Sequence, residues 1–177
     1  KTNAFIVEGS ALRVDWESVV PKSKLNYIMG NPPFVGYSLQ SKSQKDDILS
    51  VYVDEKGKPY KTAGKIDYVA GWYYKAAKLM HNTPIRTAFV STNSITQGEQ
   101  VAGIWKPLYD QFGIHIDFAH RTFRWDSEAS LKAQVHCVIV GFSCTPIPAA
   151  RQAPLEKQRL RKWITGLTMN ILLSVRV

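Results

Sequence analysis

Tyr27-Ile28-Met29-Gly30-Asn31-Pro32-Pro33-Phe34 is the stretch on which the reading of this chain turns. Leu25 to Gly30 is a short apolar run with the length of a buried strand, and it stops abruptly because neither Pro32 nor Pro33 can donate to a β-ladder. In an open α/β sheet the carboxyl ends of the strands are where ligands sit, so the place of this corner matters as much as its letters. Its chemistry suits methyl transfer to an exocyclic amine. Such a nitrogen is a poor nucleophile because its lone pair is delocalised into the ring. Two acceptors holding its N–H groups draw it toward tetrahedral geometry and aim the lone pair at the donor. Asn31 brings a side-chain carbonyl, Pro32 a backbone carbonyl on a donor-free turn stiffened by Pro33, and Phe34 a flat face for an extruded base. Asn-Pro-Pro alone is also an ordinary loop tripeptide; the apolar strand before it and the aromatic after it favour the catalytic reading.

Outward from the corner, apolar runs alternate with helical patterns, the layout of an α/β sheet with crossover helices. Ala4 to Val7, Thr87 to Ser91, Ile114 to Ala119 and Gln134 to Phe142 read as further strands, the last Val/Ile-rich and central. Ile66, Val69, Ala70, Tyr73, Ala77 and Met80 recur at helical spacing and end at Asn82-Thr83-Pro84. Thr96-Gln97-Gly98-Glu99 has capping-box spacing ahead of Val101, Ile104, Trp105, Leu108 and Phe112, a second amphipathic helix in which Pro107 should act as a kink or weak point. Val35 to Gly64 is polar and weakly periodic and reads as a long functional loop. Arg121 to Lys132 reads as a polar, aromatic connection. Past Phe142 the pattern gives way to Pro146, Pro148 and a basic run, so residues 144–177 are expected to be a basic tail or linker.

The chain has 177 residues, 45% of them hydrophobic and 21% charged. Those fractions exclude disordered, collagen-like and coiled-coil classes and allow a core of ordinary size. No apolar run reaches the roughly 18 residues needed to cross a bilayer, and no secretory signal opens the chain, so no membrane partner is expected. Cys137 and Cys144 are too few for a disulfide framework, which favours a reducing, cytoplasmic home. His81, His115, His120 and His136 lack the spacing of a zinc site, and no metal is expected. The formal charge of +9 points toward polyanions, although a solvated basic face gives the same sum. Arg151 to Lys162 concentrates five basic residues and one acid in a block more typical of a tail than of a binding element.

Three blocks together resemble the catalytic core of gamma-type adenine-N6 DNA methyltransferases, most closely the branch fused to an endonuclease in single-chain type IIL restriction-modification enzymes. They are Val7-Glu8-Gly9-Ser10-Ala11-Leu12-Arg13-Val14-Asp15-Trp16; Asn31-Pro32-Pro33-Phe34-Val35-Gly36; and Phe123-Arg124-Trp125-Asp126-Ser127-Glu128-Ala129 with Lys132 to Phe142. The resemblance covers roughly residues 3–143. It implies a partial Rossmann-like, class I S-adenosylmethionine-dependent methyltransferase sheet flanked by helices, with residues 1–143 as the C-terminal part of the catalytic domain. It also implies S-adenosylmethionine as cofactor and double-stranded DNA, with the remaining domains of a parent enzyme, as partners. Asn31, Pro32, Pro33 and Phe34 match the catalytic corner. Ser10 and Ala11, with Asn31, match cofactor-binding positions, Ser10 replacing the family's usual Asn or Asp. Phe123 or Trp125 falls where an aromatic closes on the flipped base from the other side, with core packing the plainer role for Trp125. The Gly36–Gly64 stretch resembles a mobile loop over that base, its Lys42, Lys45, Lys56, Lys58, Lys61 and Lys65 available to phosphates or simply solvated.

The family's Gly-rich cofactor loop and ribose-binding acid do not precede Ala4, and the first residue is Lys, so the segment is expected to be a piece that binds cofactor poorly and is inactive by itself. Methylation of RNA bases or protein glutamine amides is the alternative within the same chemistry; a non-catalytic nucleic-acid-binding module is the alternative outside it. Loss of neighbouring strands would leave the Leu25–Gly30 strand with a bare edge, to be covered by the tail, the first segment or self-association. The catalytic reading requires the amide of Asn31 to face a cleft.

Overall fold

A computed structural model describes residues 6–125, 135–146 and 171–174. It holds helices α1 (Trp16–Val19), α2 (Lys42–Val51), α3 (Ala70–Met80) and α4 (Gly98–Phe112), and strands β1 (Tyr27–Gly30), β2 (Arg86–Thr92), β3 (His115–Trp125), β4 (Val135–Ser143) and β5 (Ile171–Ser174). The strands form one mixed sheet in the order β3-β4-β2-β1-β5. β1 and β2 run parallel, joined through α3, while β4 lies antiparallel to both β2 and β3. This is the α/β architecture expected, with helices covering a sheet.

Alternation along the strands sorts side chains onto two faces. Ile28, Phe89, Val138, Val140 and Phe142 belong to the main core with the helices, where Tyr73 stacks on Phe142 with ring centroids 5.3 Å apart. Val90, Cys137 and Ile139 form a smaller cluster, against which Phe34 and Phe118 lean. Neither Cys137 nor Cys144 forms a disulfide among the described residues, and burial pushes each thiol pKa up to about 11.

Several expectations need correction. Ile6 and Val7 lie outside any strand and are exposed, and the rest of the Ala4–Val7 run falls outside the described residues. The outer edge of β1 is covered, as expected, by one of the three candidates for it, the tail: β5 pairs with it antiparallel, Tyr27 opposite Ser174 and Gly30 opposite Ile171. The strand expected at Ile114–Ala119 continues to Trp125, taking in part of what reads as a connection. The segment 126–134 and the tail residues 147–170 lie outside the described residues.

The largest correction concerns the supposed mobile loop. Ser41 and Gln44 form a reciprocal capping box, and behind it α2 packs Ile48 into the core. By contrast, the Thr96–Glu99 box does not form: the Thr96 hydroxyl donates to Asn93, and α4 starts from Gln97 with no side-chain cap. Helix α4 continues through Pro107 and ends on Gly113 in the left-handed conformation, whose N–H donates to the Tyr109 carbonyl. Proline at 107 removes the donor that the Gly103 carbonyl would otherwise receive. The wholly buried Tyr52, at the end of α2, supplies a replacement: its hydroxyl lies 2.8 Å from both the Gly103 and the Ile104 carbonyls.

Candidate functional site

Asn31 follows β1 directly, beside the parallel β2, at the rim where both strands deliver their carboxyl ends. It is 8% exposed, and its side-chain carbonyl oxygen is buried with no hydrogen-bond partner among the described residues. An orphaned buried acceptor costs roughly 1–3 kcal/mol, so the position carries an unmet demand for a donor. Pro32 is buried and Pro33 half-buried. Phe34 is half-buried and leans on the Val90, Cys137 and Ile139 cluster.

The backbone leaving this corner is fastened to the stretch just ahead of α3. Tyr68 N–H donates to the Val35 carbonyl at 2.9 Å, Tyr37 N–H to the Asp67 carboxylate at 3.1 Å, and the Gln40 side-chain amide to the Ile66 carbonyl at 2.9 Å. Asp67 also accepts the Ser94 hydroxyl at 2.6 Å, from the turn that follows β2. Tyr37 and Leu39 project outward from this docked stretch, Leu39 80% exposed.

The Ser10–Val14 turn is held from two sides. On one, Asp47 of α2, only 4% exposed, accepts from Ser10 at 3.3 Å, from Arg13 and from the Tyr68 hydroxyl at 2.8 Å. The pairing raises the Arg13 pKa, and burial, followed by the bond to Asp47, pushes Tyr68 up to about 12. On the other, Lys75 of α3 donates to the carbonyls of Ala11, Leu12 and Val14 and sits over the Trp16 ring, 5.2 Å from its centroid. Burial draws Lys75 down to about 8. Tyr68 thereby connects the segment after the corner, through its N–H, to Asp47, through its hydroxyl, and Asp47 holds the Ser10 turn.

Sequence reasoning placed Asn31, Pro32, Pro33, Phe34, Ser10 and Ala11 but passed over Asp47, Asp67, Tyr68, Lys75 and Ser94. The capping pattern Ser41-x-x-Gln44 was the available signal for α2; nothing local marks Asp47 as a partner of a residue 37 positions earlier. Phe123 and Trp125 end β3, opposite Cys137 and Val135 of β4; their side chains lie outside the description. Two surface clefts among the described residues lie away from the corner. One is lined by Asp54, Glu55, Lys56, Tyr60, Asp110 and Gln111, and the other includes Leu25, Asn26, Thr83 and Ile85 at the amino ends of β1 and β2.

A parallel β1-α3-β2 unit with an Asn-Pro-Pro-Phe corner at its carboxyl rim defines the methyltransferase class. The family model described as "MmeI, DNA-methyltransferase domain" matches residues 1–154, and the chain belongs to that family. It is 44% identical over 175 residues to DNA methyltransferase A of Bacillus subtilis (strain 168), covering 94% of this chain and 19% of that protein. A structure of the Type IIL restriction-modification enzyme MmeI, solved in complex with DNA, superposes with a TM-score of 0.74 at 51% identity, covering 81% of this chain and 18% of the other. The chain thus spans about a fifth of the length of these relatives. No helix among the described residues is long and apolar enough to cross a membrane.

Proposed function

We propose that this chain is the catalytic part, residues 1–143, of a cytoplasmic DNA methyltransferase of a restriction-modification system, transferring a methyl group from S-adenosylmethionine to the exocyclic N6 of a flipped adenine. The observation that carries the reading is the side-chain oxygen of Asn31, buried at the carboxyl rim of β1 without a donor. That oxygen is closed off in this structure, so the reading requires the rim to open; an amine N–H then satisfies it, and the Pro32 carbonyl accepts the second N–H from a turn with no competing donor. Held by two acceptors, the amine is drawn out of conjugation and its lone pair is oriented. Phe34 gives the base a face to stack on, with Phe123 or Trp125 proposed for the opposite face. Relatives with DNA in their names or bound in their structure support DNA as the substrate over RNA or glutamine.

S-adenosylmethionine, when bound, supplies an electrophilic methyl on sulfur. Among this chain's residues Ser10, Ala11 and Asn31 would hold it. The Ser10 hydroxyl donates to Asp47 and keeps lone pairs for a ring amine, whereas the Ala11 carbonyl already receives Trp16 Nε1 and Lys75 Nζ. The fit is therefore that of a partial site, consistent with weak cofactor binding by these 177 residues alone.

The test is Asn31→Ala in the full-length protein that carries this chain, with labelled cofactor and DNA, RNA and protein offered side by side. Label enters the adenine N6 of DNA with the native residue and not with alanine. Full incorporation by the alanine variant, or label chiefly in RNA or protein, rejects the reading.

A further inference from the structure

We infer that Asp67 is the positioning residue for the catalytic corner, acting by tying together the two chain segments that leave β1 and β2 side by side. The inference rests on the reading of Asn31 as the acceptor for the target amine and adds a residue that touches neither base nor cofactor.

Rigid proline geometry fixes the corner internally, but it does not fix the corner's position relative to the rest of the rim. That placement depends on where the chain goes next. Residues 35–40 carry little regular structure, a single short turn at Tyr37–Leu39, so their position is set by bonds to other elements. Three such bonds run to consecutive residues: Val35 to Tyr68, Tyr37 to Asp67 and Gln40 to Ile66. Of these, the Asp67 contact differs in kind. Its one carboxylate oxygen accepts Tyr37 N–H, six positions after Asn31, and the other accepts the Ser94 hydroxyl, two positions after β2 ends. Ser94 is itself held by Thr92 at 2.7 Å. The bridge therefore runs from the exit of one parallel strand to the exit of its neighbour through Asp67, which is 8% exposed.

Asp67 is in turn aimed from behind. Its N–H donates to Gln100 Oε1 at 2.9 Å, while Gln100 Nε2 donates to the Lys65 carbonyl at 2.8 Å, so α4 pins the residue on both sides. A carboxylate suits the task because it accepts from two directions at once. Asparagine retains the shape: its oxygen accepts Tyr37 N–H, and its amide donates to the Ser94 oxygen, which can accept as well as donate. Alanine does neither, and it frees the corner to drift, where a displacement near 1 Å costs about 10²-fold in rate.

The experiment compares Asp67→Ala, Asp67→Asn, Ser94→Ala and Asn31→Ala in the full-length protein, reading single-turnover methyl transfer, KM for DNA and for the methyl donor, and thermal melting. Asp67→Ala should lower kcat about 10²-fold with both KM values little changed; Asp67→Asn should recover most of the rate, and Ser94→Ala should fall between. Should Asp67→Ala fail to give a cooperative melt, the Ser94→Ala and Asp67→Asn pair decides by the same criteria. Wild-type kcat in a folded Asp67→Ala or Ser94→Ala overturns the assignment, as does equal impairment by alanine and asparagine or a rate loss that merely follows the melting temperature. Asn31→Ala separates the two levels. An active Asn31→Ala removes the reading of the corner itself, whereas an inactive one beside an unaffected Asp67→Ala removes only the role of Asp67.

Discussion

The hydroxyl of Tyr52 stands 2.8 Å from the carbonyl of Gly103, the acceptor that Pro107 leaves without its helical donor. One residue in the helix breaks a bond, and a residue 51 positions before the stranded Gly103 carbonyl restores it. Tyr52 is wholly buried beside Tyr74, their ring centroids 4.6 Å apart, so its hydroxyl is turned to the helix carbonyls rather than to water.

Replacing Tyr52 by Phe should destabilise the protein by about 1–3 kcal/mol, the cost of a buried carbonyl left unpaired. For a chain of this size each kcal/mol lowers the melting temperature by roughly 2–4 °C. Pro107→Ala restores an N–H opposite Gly103, so Tyr52→Phe should cost less in that background than in the native one. A double-mutant cycle by thermal melting checks this, and strict additivity of the two substitutions would refute the pairing.

Alkali should unfold the protein for a reason visible in its tyrosines. Burial raises Tyr52, Tyr60, Tyr68, Tyr73 and Tyr74, with Tyr68 reaching about 12. Each folded phenol keeps its proton beyond the pH at which the unfolded one, with its ordinary value of 10, loses it. The stability tied to these protons is whole below pH 10 and drains as pH climbs through the folded values. Lys75 has the opposite sign: folded near 8 against 10.5 unfolded, its titration adds stability between those values. Melting temperatures should therefore hold or rise from pH 8 to 10 and fall above it, more gently in Tyr68→Phe. An unchanged slope in that variant would exclude Tyr68 as a contributor.

The strand and helix that place the corner were legible because each carries its own local signal. Leu25 to Gly30 is apolar and Pro32 ends it; Ile66 to Met80 repeats its apolar positions at the helical period. Helix α2 was not, because Lys42 to Val51 buries little beyond Ile48, and a helix with so narrow an apolar stripe has almost no period to detect. Its capping box was written in the sequence at Ser41 and Gln44, yet the same spacing at Thr96–Glu99 formed no cap, since α4 takes Gln97 rather than Thr96 as its N-cap residue and Thr96 stands in the preceding turn, donating to Asn93. At the candidate site, Asn31 and its prolines stand out in the sequence because the residue types that suggest the corner are consecutive. Asp67 and Asp47 do not, because each has partners 21 to 37 positions away that only folding brings near. The pairing of β5 with β1 belongs to the same class: an unpaired edge calls for a strand, but nothing in the sequence of either says which segment will supply it.

Gly141 provides a last prediction, on the face of the sheet opposite the helices. It lies across from Phe118 in the β3–β4 ladder, and a Cβ built there would fall 2.1 Å from the edge of the Phe118 ring. An aromatic lying over a strand glycine covers backbone that the missing side chain would leave bare. Gly141→Ala should expel the ring and disturb the small cluster of Val90, Cys137 and Ile139 that it leans on, at a cost of about 1–3 kcal/mol, which outweighs the gain from the better strand propensity of alanine. Truncating the ring first removes the clash, so Gly141→Ala in a Phe118→Ala background should cost far less or become stabilising. Because Phe34 leans on the same cluster, the single substitution should also raise the accessibility of Cys137, now wholly buried, to a thiol reagent. Equal destabilisation by Gly141→Ala in both backgrounds, with Cys137 protected throughout, would mean that Phe118 does not set the requirement for glycine.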